Sequence, residues 1–91
     1  MDTNYNYDQF KEKLEQEHTF PSVYMFKFII PADNKKMALV EALFKEEAEV
    51  LQKTSSSGKY ISITSKQVVM SSDEIIEIYK KATTIAGVMA L

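Results

Sequence analysis

Cysteine, tryptophan and arginine are missing from this chain of 91 residues, and glycine and proline occur only twice each. Each absence closes off a class of function. Without cysteine there is no disulfide, no thiolate nucleophile and no thiolate metal ligand. All 11 basic residues are lysines, so the planar guanidinium fork that reads phosphates, carboxylates and guanine edges is lacking too. A net charge of -2 adds to that lack, and together they argue against nucleic acid as a partner. No run of eighteen apolar residues exists to span a bilayer. The opening MDTNYNYDQF is polar where a secretory leader would be basic and then apolar. The expectation is a cytoplasmic chain with no membrane association.

What is present describes a folded globule. Apolar residues make up 45% and charged residues 26%, a composition that can bury a core, in a chain too short for two of them. Tyr7, Phe10 and Leu14 recur at helical spacing over residues 7–17, with lysine and glutamate on the other faces. Pro21 stops that helix, because the residue before a proline is driven out of helical geometry. Residues 23–30, VYMFKFII, are aromatic and β-branched and alternate as a strand does. Tyr24, Phe26, Phe28 and Ile30 share one apolar face, and Val23, Met25, Lys27 and Ile29 share the other. Asp33 or Asn34 can cap a second helix running to about residue 46 on Met37, Leu39, Val40, Leu43 and Phe44. Residues 49–54 and 59–70 then read as a hairpin around the turn Ser55-Ser56-Ser57-Gly58. Ser71-Ser72-Asp73-Glu74 is a capping box that opens a third helix lined by Ile75, Ile78, Tyr79, Ala82 and Ile85. Gly87 stands where a left-handed helix end is expected, before a last short strand over residues 88–91.

A leading helix followed by β-α-β-β-α-β closes most simply as an α+β, ferredoxin-like sandwich: a four-stranded antiparallel sheet with two helices on one face. The division expected is an N-terminal amphipathic helical extension over residues 1–19 and a single domain over residues 20–91. One sheet face then has no covering element except, at most, the leading helix. Val23, Met25, Lys27, Tyr60, Ser62 and Thr64 fall on that face and are the candidate interface.

Constellations for catalysis are thin. His18 is the only histidine, placed at the end of the leading helix, and the carboxylates show neither calcium-loop nor histidine-pair spacing. No metal, no cofactor and no enzymatic activity are expected. Ser57, Gly58 and Lys59 form the candidate ligand or anion contact, since a lysine, hydroxyls and backbone N–H groups converge there. The Walker spacing is absent, so a hairpin turn chosen for its backbone angles explains the same residues. An RNA-recognition-like sheet is the alternative, with Tyr60 near the aromatic first strand, but such sheets expose two or three aromatics on adjacent strands. Here the aromatics of the first strand point to the core.

Three segments in order, Phe20-Pro21-x-x-Tyr24-x-Phe26-Lys27, Ser56-Ser57-Gly58-Lys59-Tyr60-x-Ser62-x-Thr64 and the closing Val88-Met89-x-Leu91, resemble the YbeD-like family of small bacterial proteins. The resemblance runs over nearly the whole chain from Phe20 onward. It implies a ferredoxin-like fold similar to ACT-type regulatory domains, which pair through sheets or strand edges and bind amino acids between subunits. It implies no activity. The functional expectation is therefore a non-enzymatic regulatory or interaction module, working as a homodimer or with a protein partner and sensing a small metabolite in ACT-like fashion.

Overall fold

The computed structural model describes residues 6–91. Its elements are α1 (Tyr7–Glu17), β1 (Ser22–Pro31), α2 (Asn34–Glu41), β2 (Glu49–Thr54), β3 (Tyr60–Val69), α3 (Ser72–Ala82) and β4 (Met89–Ala90). The strands form one antiparallel sheet in the order β2-β3-β1-β4. That order is what two crossovers on the same side of a βαββαβ chain produce, so the fold is the α+β, ferredoxin-like one expected from the element sequence. Among the described residues no helix is long and apolar enough to cross a membrane.

The core lies on the face that the helices cover. Phe26, Phe28 and Ile30 of β1, Ile63 and Val69 of β3, Met37 and Val40 of α2, and Ile75, Ile78, Tyr79 and Ala82 of α3 are all buried in it. The aromatic side chains meet mainly in tilted and edge-on pairs, as between Tyr24 and Phe26 at 4.8 Å and Phe26 and Tyr79 at 5.5 Å between ring centres. Such geometry sets the positive ring edge of one against the negative face of the other.

α1 packs on the same side as the other helices. Leu14 is buried in the common core, Phe10 meets Tyr79 edge-on, and Lys80 stands over the Tyr7 ring. Glu15 accepts a 2.9 Å hydrogen bond from the buried Ser72 hydroxyl, and Lys11 pairs with Asp73 at 2.9 Å. The docking site is therefore α3, and Ile76, which the helical stripe of α3 left out, is buried as well. The consequence for function is direct: α1 does not cover the open face of the sheet.

Two local expectations are corrected. The second helix ends at Glu41 rather than near residue 46. Leu43 and Phe44 donate to Val40 and Glu41 in tighter three-residue turns, and the Lys45 amide donates instead to the Gln67 side chain of β3 at 3.0 Å. The chain leaves the helix because β3 supplies a buried acceptor for its next amide. In the capping box, Ser71 accepts from the Glu74 amide as expected. Glu74, however, accepts from the amide of Met70, one residue before the cap, and holds Lys45 at 2.6 Å. Lys45 donates in addition to the Val68 carbonyl. One lysine thus ties the end of α2, the end of β3 and the start of α3 together.

Gly87 has a φ of +83° and closes the passage from α3 to β4, as its position past the helix suggested. A Cβ there would stand 2.8 Å from Cγ of Pro31, so the site requires glycine for space as well as for backbone angle.

Candidate functional site: the open face of the sheet

Strand alternation places every second residue of each strand on the uncovered face, and the pairing register says which ones lie side by side. Across the sheet, Leu51 is beside Thr64 and Thr64 beside Lys27. One row back, Glu49 is beside Lys66 and Lys66 beside Met25; one row forward, Lys53 is beside Ser62, Ser62 beside Ile29 and Ile29 beside Met89. Val23 and Val68 close one end, and Tyr60 lies at the other. The six residues singled out from the sequence, Val23, Met25, Lys27, Tyr60, Ser62 and Thr64, therefore do share one face.

That face is both apolar and basic. Val23 is 64% exposed, Met25 51% and Leu51 73%, with Val68, Tyr60, Met89 and Leu91 also exposed. A contiguous exposed apolar surface of this kind is rarely left bare on a small chain. Among the described residues of the paired strands its charged members are Lys27, Lys53 and Lys66, against Glu49 as the single side-chain carboxylate. In a chain whose overall charge is -2, this concentrates positive potential on the one surface that is also apolar. Sequence reading missed Leu51 and Lys53, because β2 alternates weakly by itself, and passed over Lys66 and Val68, although they continue the alternation of Tyr60, Ser62 and Thr64 along β3. Counting back from the serine turn along the hairpin would have placed all four.

The serine turn is largely occupied with itself. Gly58 adopts a φ of +75° and donates to the Ser55 carbonyl at 2.9 Å. Ser57 accepts from the Lys59 amide at 3.3 Å, and the Ser55 hydroxyl accepts from the Tyr60 amide at 3.1 Å. These bonds are those of a hairpin turn that supplies its own acceptors. Beside it, a hollow of about 300 Å³ opens on the sheet face between Ile29, Lys53, Thr54, Tyr60, Ser62 and the turn residues Ser55 and Ser56. Ser57, Gly58 and Lys59 are not among its lining residues, so the polar concavity lies one step along the hairpin from where the sequence pointed.

His18 sits away from this face. It ends α1 and packs its ring against Phe20 and Tyr24, with centroids 6.1 and 5.7 Å apart. A second hollow, of about 440 Å³, runs along α1 past Phe10, Leu14, His18 and Tyr24. The Tyr24 hydroxyl lies 3.2 Å from that of Tyr79. No cluster of three or more histidine, aspartate or glutamate side chains able to hold a metal ion occurs among the described residues.

The comparisons agree with what the fold and the three sequence segments indicated. Residues 15–91 match the family model described as "Protein of unknown function (DUF493)". The chain belongs to this family. A similar curated protein is a "UPF0250 protein" from Shewanella halifaxensis (strain HAW-EB4), 29% identical over 80 residues that cover 84% of this chain and 91% of the relative. No solved structure matches the chain. Membership of DUF493 bears out the resemblance to YbeD-like proteins, and the matched region begins within α1 and takes in every strand.

Proposed function

We propose that this chain is a non-enzymatic interaction module that docks a protein partner on the open face of its sheet. The observation that carries the reading is the coincidence, on one uncovered face, of exposed Val23, Met25, Leu51 and Val68 with Lys27, Lys53 and Lys66. The apolar residues supply the area whose removal from water drives association. The lysines choose the partner, since an apolar surface flanked by carboxylates is attracted and a basic one repelled. Stacking this face on the same face of a second copy would oppose three lysines to three lysines, which disfavours that arrangement. The test is a photo-crosslinking amino acid placed at position 25 and, as a control on the helix side, at position 77, in cells of the natural host. A defined adduct from position 25 that is absent from position 77, and lost when Lys27→Glu and Lys66→Glu are added, supports the reading. Identical adducts from both positions, or none from position 25, would sink it.

A second reading keeps the ACT-like sensing suggested by the sequence. The hollow beside the serine turn offers a lysine, several hydroxyls and the Tyr60 ring to a small anionic metabolite. Chemical-shift changes confined to Lys53, Thr54, Tyr60 and Ser62 on adding amino acids would favour it; shifts scattered over the surface would count against it. The RNA-recognition reading loses its physical basis, because Tyr60 is the only aromatic of β1 and β3 on the open face while Phe26 and Phe28 are buried.

A further inference from the structure

β2 forms one margin of the sheet, and all six of its residues are exposed. It carries no proline and no bulge, and its pairing with β3 is continuous from Glu49 to Thr54. Natural edges are usually blunted against pairing by short length, bulges, prolines or charged side chains; of these β2 has only Glu49 and Lys53, which are opposite in sign. The opposite margin, β4, is only two residues long. β2 is thus the edge that remains competent to accept another strand.

The backbone pattern determines which registers such a strand can adopt. The Ser55 amide donates to the Tyr60 carbonyl at 2.8 Å, so Ser55 and Tyr60 form a hydrogen-bonded pair. In an antiparallel ladder such pairs alternate with non-hydrogen-bonded ones. Counting back, Lys53, Leu51 and Glu49 turn their backbone groups toward β3, and Thr54, Gln52 and Val50 turn theirs outward. A second β2 related by a two-fold axis must match outward residues with outward residues. Any residue of the strand at the axis satisfies this; centring on Glu49 or Lys53 opposes like charges and centring on Thr54 leaves a single pair within the strand, so Val50, Leu51 and Gln52 remain. Centring on Val50 sets Glu49 opposite the partner's Leu51, and centring on Gln52 sets Leu51 opposite the partner's Lys53. Both leave charges facing an apolar side chain. Centring on Leu51 sets Leu51 against the partner's Leu51 and Glu49 against the partner's Lys53, twice over by symmetry. Four backbone hydrogen bonds then form between Val50 and the partner's Gln52 and their symmetry mates.

We infer that this chain forms a two-fold dimer through antiparallel β2–β2 pairing centred on Leu51. The strand is self-complementary in charge in that register alone, which is what an isologous interface demands. The dimer is an eight-stranded sheet whose two open faces are continuous, with Leu51, the most exposed large apolar residue among the described residues, buried at the junction. The edge shares Leu51 and Lys53 with the face proposed to hold a protein partner, but its pairing requires no occupant there. An interface this small places the complex among weak, concentration-dependent dimers.

The test exploits the lack of any native cysteine. Val50→Cys, Leu51→Cys and Gln52→Cys are each exposed to mild oxidant, and the rate of disulfide-linked dimer formation is measured. Leu51→Cys cross-links fastest, because a non-hydrogen-bonded pair brings the two Cβ atoms within disulfide reach. Fastest linkage from position 50 or 52, or equal rates from all three, overturns the register. Sedimentation of the cysteine-free chain from micromolar to millimolar concentration supplies the second readout. Glu49→Lys and Lys53→Glu each weaken the dimer at least about tenfold, and the double exchange, which restores opposite charges, recovers it. A chain that stays monomeric throughout, or a dimer indifferent to the single exchanges, refutes the proposal.

Discussion

β1 presents two faces built from the same backbone and separated by a single residue of phase. Tyr24, Phe26, Phe28 and Ile30 point into the helices, where the last three are wholly buried; Val23, Met25 and Lys27 point out and are exposed. Both faces are mostly apolar, so hydrophobicity alone does not tell core from interface. What separates them is size and charge. The inner face uses aromatic rings that fill the space between sheet and helices, whereas the outer one uses smaller or flexible side chains and admits a lysine. Burying Lys27 among the rings would require a partner for its charge, while leaving it in water costs nothing. The inner face is therefore committed to stability, and the outer one is free to serve recognition.

The largest effect should come from breaking the inner face. Phe26→Ala removes a fully buried ring in contact with Tyr24, Phe28, Phe44 and Tyr79. A loss of about 3–5 kcal/mol is expected, read from urea unfolding. A loss below about 1 kcal/mol would mean that the helices do not close over β1 as described.

The two glycines sharpen the comparison between a packed region and an open one. Both have positive φ, but a Cβ at Gly87 would press on Pro31, while one at Gly58 meets nothing within 4 Å. Backbone strain applies to both, at about 1–2 kcal/mol, and the steric clash applies to Gly87 alone. Gly87→Ala should therefore destabilise the chain more than Gly58→Ala does, and an equal loss would place the C-terminal turn away from Pro31.

Acid should act through the packed side. Burial tends to raise the Glu74 carboxyl, but the ion pair with Lys45 and the hydrogen bond from the Met70 amide outweigh it, and the group titrates below its ordinary range. A carboxylate with a lowered folded value contributes stability above its unfolded pKa and loses it as pH falls through the folded one. Glu74→Gln should cost about 1 kcal/mol at neutral pH. The gap between wild type and variant should then close on acidification, as urea midpoints across the pH series would show. A gap that stayed constant would mean that the charge of Glu74 is not what joins α2, β3 and α3.

Much of this was legible in the order of the residues. The alternation of β1, the capping serine of α3 and the turn chemistry around Gly58 are local signals, and each was found where its side-chain chemistry placed it. The end of α2 was not legible, because its cause is the Gln67 side chain, 22 residues further along the chain. The docking of α1 was hidden for a similar reason. A stripe of Tyr7, Phe10 and Leu14 shows that the helix needs a neighbour, but Ser72 and Asp73 of α3 say which one. The open face was half legible: its β1 and β3 members follow from alternation, and its β2 members need the register of the hairpin.

The smallest expected effect decides most about function. Val23→Thr and Met25→Thr replace exposed apolar side chains with one that suits a strand and accepts solvent. If nothing in the chain covers the open face, each should change stability by less than about 0.5 kcal/mol, within reach of paired urea curves. The same pair should abolish the adduct formed from a neighbouring crosslinker at Lys27 if that face docks a partner. A stability loss of 2 kcal/mol or more would show the face to be buried within the chain itself. The apolar residues there would then belong to a second core, and the argument for recognition would lose its surface.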